Sequence, residues 1–141
     1  MKTIYDLAVT LARDPAQVAD AQALTQDESR PHMGLKGAYG LFGRAEWWDN
    51  LKAGKIPIRI YEGEIESLQF EGMQNEGRSF TLRLANGGSY TYSCVANETD
   101  SEDAYAVGRR ARVTAYSEPM KSGSEFEFVW KVEIDEDGGE L

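Results

Sequence analysis

One cysteine and one histidine among 141 residues are the first constraint on chemistry. A single Cys cannot close an internal disulfide, and a single His removes most imidazole-based metal sites. Any His-dependent catalytic network would hang on His32 alone. Cations are also scarce: 15 Lys and Arg stand against 24 Asp and Glu, a formal net charge of -9. That is the wrong sign for a protein whose main task is neutralising phosphates. Four Pro and 14 Gly fall well short of collagen or low-complexity composition. No apolar run approaches the length that spans a bilayer, and the first residues, Met1-Lys2-Thr3-Ile4-Tyr5-Asp6, lack the uninterrupted apolar core of a signal peptide. The expected setting is a reducing compartment, the bacterial cytoplasm, with no membrane partner and no cofactor.

What the chain does contain is globular. The hydrophobic share of 41% and charged share of 28% are ordinary for a folded domain, and the length suits one hydrophobic core. The first thirty residues read as a helical arm: Ile4, Leu7, Ala8 and Leu11 are spaced for one helical face, and Asp14-Pro15 supplies an N-cap and a favoured first helical residue. In the following helix, Pro15 to about Gln26, the stripe Val18, Ala21 and Leu24 is mostly small and predicts weak docking. A polar connection precedes Gly34, Gly37, Gly40 and Gly43, a glycine at every third position, with Leu35, Tyr39, Leu41 and Phe42 between them. This segment reads either as a packed irregular loop or as an apolar flap that closes over a partner. Arg44 to Ala53 reads as a short helix ended by Gly54. Adjacent helical residues point about 100° apart, so one of Trp47 and Trp48 should face the core and the other its margin.

After Gly54 the hydrophobic period changes from helical to alternating. Ile56, Ile58 and Ile60 are followed by Gly63, Ile65, Leu68 and Phe70, whose parity shifts predict one long, bulged strand. Phe80, Leu82 and Leu84 form a second strand, Asn86-Gly87-Gly88 a hairpin turn, and Tyr90, Tyr92 and Cys94 one face of a third. Ala111, Val113 and Ala115 mark a fourth. Phe126, Phe128, Trp130, Val132 and Ile134 mark a fifth, with these five expected inside. The resulting expectation is a mainly β (α+β) fold: a five-stranded small barrel of OB or SH3-like type over residues 55–134. Residues 1–30 precede it as the helical arm, 31–54 as the Gly-rich and Trp-containing segment, and 135–141 follow as an acidic tail expected to fray.

The stretch Ala104-Tyr105-Ala106-Val107-Gly108-Arg109-Arg110-Ala111-Arg112-Val113 resembles the Val-Gly-x-x-Val-x-Val entry to the fourth strand of many OB and S1-type barrels. The resemblance covers a small part of the chain. Residues 34–50, with Tyr-Gly-Leu followed by Glu-Trp-Trp, are similar to segments of uncharacterised bacterial proteins, a likeness that implies no activity.

Candidate chemistry is thin. His32 has no orienting acid and no nucleophile elbow beside it, and reads as an exposed, inert side chain. Cys94, on a strand face with Tyr90 and Tyr92, reads as a buried packing residue. The run Asn97 to Asp103 lacks the glycine and terminal glutamate of an EF-hand loop and reads as a solubilising loop. Glu62, Glu64 and Glu66 read as the outward face of a strand. Arg59, Arg83 and Arg112, with Tyr116 on the same outward parity, form the alternative reading, a single-stranded nucleic-acid face. Cross-strand ion pairing with neighbouring glutamates is the simpler use of those arginines.

Aromatic side chains dominate binding hot spots, and Leu35 to Leu51 concentrates them. The sequence therefore reads as a non-enzymatic interaction module that docks a protein partner, or a second copy of itself, through Tyr39, Phe42, Trp47 and Trp48.

Overall fold

In the computed structural model, residues 1–71 and 77–136 are described. Strand β1, Lys2–Asp6, is followed by helices α1, Leu7–Arg13, α2, Pro15–Gln26, and α3, Ala45–Lys52. Strands β2, Ile58–Glu71, β3, Gly77–Leu84, β4, Ser89–Ser93, β5, Arg110–Pro119, and β6, Glu125–Ile134, complete the order. A short 3-10 helix, Thr99–Ala104, occupies the acidic run expected to be a loop. The fold is mainly β, as the alternation after Gly54 indicates, but the sheet has six strands in the order β1-β6-β5-β2-β3-β4 rather than five. Most of the acidic tail lies outside the described residues.

The sixth strand corrects the reading of the first residues as helix. Lys2, Thr3, Tyr5 and Asp6 pair antiparallel with Ile134, Glu133, Val132 and Lys131, and helix begins only at Leu7. Ile4 is buried in the strand, and the helical face of Ile4, Leu7 and Leu11 also calls for burial, so its spacing does not discriminate between the two conformations. The strand that decides the matter lies at the other end of the chain. Elsewhere local signals hold. Asp14 caps α2, its carboxylate accepting the Gln17 N–H at 3.2 Å, and Pro15 sits in the first turn. No side chain of α2 is fully buried, as its small stripe implies.

The strands divide between two compact units. The first comprises Met1–Asp6, Ile60–Thr114 and Trp130–Leu141; the second comprises Leu7–Arg59 and Ala115–Val129. In the first unit β2 and β3 pair from Gly63↔Leu84 to Glu71↔Gly77 with one register shift between Ile65 and Ser67, the bulge foreshadowed by the changed parity. Its interior gathers Ile65, Phe80, Leu82, Ala111, Val113, Val132 and Ile134. Tyr105 lies against Phe80, ring centroids 4.9 Å apart, and its hydroxyl donates to the Val95 carbonyl at 2.6 Å. Burial of this hydrogen-bonded phenol raises its pKa. Cys94 is buried and in no disulfide, as expected.

In the second unit the Gly-rich segment packs as a loop against α2. A Cβ on Gly34 would stand 2.8 Å from Leu24 Cγ, and Gly34 has φ +89°, so glycine is required on both counts. Lys121 ties the same region together: its ammonium donates to the carbonyls of Leu24, Asp27 and Arg30 at 2.5, 3.2 and 3.2 Å, adding a charged donor to acceptors that the backbone N–H groups of Asp27, Arg30 and Met33 already engage at the end of α2 and in the turn after it.

Two expected inward rows are corrected. Ile56 is buried, but Ile58 and Ile60 are exposed, Ile60 by 57%. On β6, Val129, Val132 and Ile134 are buried while Phe126 is 55% exposed and Phe128 and Trp130 are half-buried. The inward parity therefore changes between Val129 and Val132, which strict alternation of large apolar residues conceals.

Candidate partner-binding surface

Helix α3 decides the fate of the aromatic segment. Trp47 and Leu51, one turn apart, form its inner face, and Trp47 is 0% exposed. Its indole meets Phe42 at 4.9 Å, Tyr116 at 5.4 Å and Trp48 at 4.9 Å between ring centroids, all edge to face. The Trp47 Nε1–H donates to Glu118 Oε2 at 3.1 Å. Tyr116 stacks in turn on Phe128, and Phe128 lies 5.0 Å from the exposed ring of Phe126. A continuous train of rings thus runs from the inside of the unit to its surface.

The four aromatic residues expected to contact a partner are therefore not one surface. Phe42 and Trp47 are buried. Tyr39 and Trp48 are half-buried. Asn50 Nδ2 donates to the Tyr39 carbonyl at 2.9 Å, and the Lys52 ammonium lies 5.9 Å from the Trp48 ring. The division between Trp47 inside and Trp48 at the margin follows from their angular offset, as the sequence indicates.

Glu118 is the residue that sequence reasoning missed. It is 1% exposed, and its Oε1 has no hydrogen-bond partner among the described residues. Burial raises the pKa of its carboxyl, the Trp47 hydrogen bond opposes that, and the Glu125 charge adds to it. Nothing in the local sequence, Ser117-Glu118-Pro119, separates it from the surface glutamates.

The alternative arginine face is also dispersed. Tyr116 is buried rather than outward, because α3 covers it with Trp47. Arg83 pairs with Glu64 across β2 and β3, in register at Glu64↔Arg83. Arg112 pairs with Glu62 at 3.3 Å and with Glu133 at 3.7 Å, and Arg110 approaches Glu62 at 3.9 Å. Arg59 is exposed and belongs to the other unit. The cross-strand pairing that the glutamate alternation implies is what Arg83 and Arg112 do.

The Arg83–Glu64 and Arg110–Glu62 pairs line an open concavity of about 430 Å³ in the first unit, between Glu62, Gly63, Glu64, Arg83, Leu84, Ala85, Gly87 and Arg110. It is shallow and polar, unlike the enclosed apolar pockets that take small molecules. His32 is exposed, and among the described residues no group of three His, Cys, Asp or Glu side chains is placed to hold a metal. No helix among them is long and apolar enough to cross a membrane.

A family model described as Immunity protein RhsI2 matches residues 1–132. The chain belongs to the RhsI2 immunity-protein family. No curated protein matches it. For an RhsI2-family chain the relevant geometry is that of a surface that binds protein, not of a reaction centre. Its charge is unevenly placed for that task. The first unit holds seven basic and fifteen acidic residues, net -8, and the second eight and nine, net -1.

Proposed function

We propose that this protein neutralises a toxin of the Rhs class by binding it directly, without catalysis, in the bacterial cytoplasm. The observation that carries the reading is the family match across residues 1–132. In this reading the toxin meets the first unit, whose net charge of -8 steers a basic partner, and the mixed ion pairs around the concavity set register. Glu62, Glu64, Arg83 and Arg110 are the contact residues proposed there. Of the aromatic segment, Tyr39 and Trp48, the latter with Lys52, retain surface, and they are the second place to look.

The test is co-expression with the cognate Rhs toxin, read as growth and as co-purification. Wild-type chain should restore growth and hold the toxin through purification. The double reversal Glu62→Lys and Glu64→Lys, checked for fold by circular dichroism, should weaken the complex and lower its dependence on salt. Loss confined to Tyr39→Ala with Trp48→Ala would move docking to the Gly-rich and Trp segment. A wild-type chain that neither binds nor protects would end the proposal.

A further inference from the structure

The two ends of the sheet are treated very differently. At one end β1 carries Lys2, has a register shift between Thr3 and Tyr5, and is covered: Asn97 N–H donates to the Ile4 carbonyl at 3.1 Å and the Asp6 N–H to Asn97 Oδ1 at 2.7 Å. Charge, irregularity and cover are the usual protections of a strand edge. At the other end β4 carries no charged residue and no register shift, and among the described residues no strand pairs with its outer edge. Its five residues pair with β3 without a register shift. It lies within residues 84–97, the longest uncharged stretch in a chain that is 28% charged. Ser89, Thr91 and Ser93 are exposed.

The backbone phase of this edge is fixed by its ends. Leu84 N–H donates to the Gly88 carbonyl and Cys94 N–H to the Arg78 carbonyl, both at 2.9 Å. Alternation along an antiparallel ladder then assigns the hydrogen bonds with β3 to Tyr90 and Tyr92, and turns the N–H and C=O of Ser89 and Thr91 and the N–H of Ser93 outward. The Ser93 carbonyl accepts from Val95 N–H at 2.8 Å. The close side-chain approach at the intervening pair fits: Thr81 and Thr91 hydroxyls are 2.8 Å apart.

The sequence of β4, Ser-Tyr-Thr-Tyr-Ser, is a palindrome centred on Thr91. We propose that β4 pairs with β4 of a second copy of this chain, antiparallel, about a two-fold axis at Thr91. A two-fold interface must be complementary to itself, and this edge is so in three respects. Thr91 faces its own counterpart with N–H and C=O both directed outward. Ser89 faces Ser93, whose N–H meets the Ser89 carbonyl. Tyr90 faces Tyr92, aromatic against aromatic on one side of the sheet, with hydroxyls against hydroxyls on the other, the pairings that stabilise antiparallel strands. Tyr90 is already held by its stack on Tyr61, with ring centroids 4.0 Å apart, so little ordering remains. Charge selects the same place: two copies with a first unit of net -8 repel, least so along an uncharged edge. Five-residue strands bury little area, so the dimer is weak and concentration-dependent.

The experiment is sedimentation of the full chain from about 1 μM to about 1 mM, a range suited to weak association. Wild type should pass from monomer to dimer, and Thr91→Lys, which sets two cations opposite each other, should raise the dissociation constant by about tenfold or more. Thr91→Pro should do the same, since the N–H it removes points away from β3. Near-UV circular dichroism confirms that each variant keeps the fold. Register is read by oxidation: Ser89→Cys mixed with Ser93→Cys should give a cross-linked pair, and each alone should not. A chain monomeric throughout, a dimer that survives Thr91→Lys, or equal cross-linking in the single variants overturns the proposal. So does a monomer whose toxin complex is lost on Thr91→Lys, which would assign the edge to a strand of the partner.

Discussion

Replacing Glu118 by Gln should change how stability depends on pH. The Glu118 carboxyl is buried, bonded on one side to Trp47 Nε1 at 3.1 Å, with its other oxygen lacking a partner among the described residues. Desolvation, the largest cause, raises its pKa above the ordinary 4.5. The folded state therefore holds a proton that the unfolded chain releases. Below the unfolded pKa the contribution of this group is complete; as pH rises through the interval up to the folded pKa, stability falls. The slope approaches about 1.4 kcal/mol per pH unit for one proton, and it ends once the folded group itself ionises. Glutamine keeps an oxygen for the Trp47 N–H and cannot titrate. Urea denaturation at a series of pH values rising from about 4.5 through neutrality should show the Glu118→Gln variant gaining on wild type until the folded carboxyl ionises. Parallel pH profiles for the two proteins would refute the reasoning, because they would mean that Glu118 titrates alike in the folded and unfolded chain.

Three further outcomes follow from packing. Trp47→Ala should cost about 3–5 kcal/mol in chemical denaturation, because it empties a fully buried site, whereas Trp48→Ala at the margin should cost clearly less; equal losses would contradict the assignment of faces. Gly63→Ala should unfold the protein or lower its melting temperature sharply, since a Cβ there would lie 2.1 Å from the Arg83 carbonyl oxygen across the β2–β3 ladder. Lys121→Met keeps the apolar stem but removes a charge that bonds three carbonyls at the end of α2 and in the turn after it, and should cost about 1–3 kcal/mol with faster amide exchange confined to that segment; unchanged exchange would mean that the segment does not depend on the ammonium.

Local information was legible wherever a short segment decides its own conformation. Asp14-Pro15 announces α2, Gly54 ends α3, Asn86-Gly87 turns β3 into β4, and the change of period after Gly54 marks where the strands begin. The angular offset of adjacent helical residues separates Trp47 from Trp48 before any contact is known. Alternating glutamates opposite arginines foretell the ion pairs of Glu62 with Arg112 and Glu64 with Arg83.

What only tertiary structure decided depends on groups far apart in the chain. Ile4 suits a helix or a strand, and the ladder with β6 made it a strand. Phe126, Phe128, Trp130, Val132 and Ile134 alternate faultlessly, yet of that row only Val132 and Ile134 are buried, and the parity change brings Val129 inside in place of the three aromatic residues. Tyr116 shares the parity of Arg112 and Thr114, yet it is buried because Trp47 of α3 packs against it. Glu118 looks like any surface glutamate until Trp47, 71 residues earlier, closes on it. Periodicity records which residues share a face, whereas burial depends on what comes to cover that face, and the covering element is chosen by the summed contacts of the whole chain.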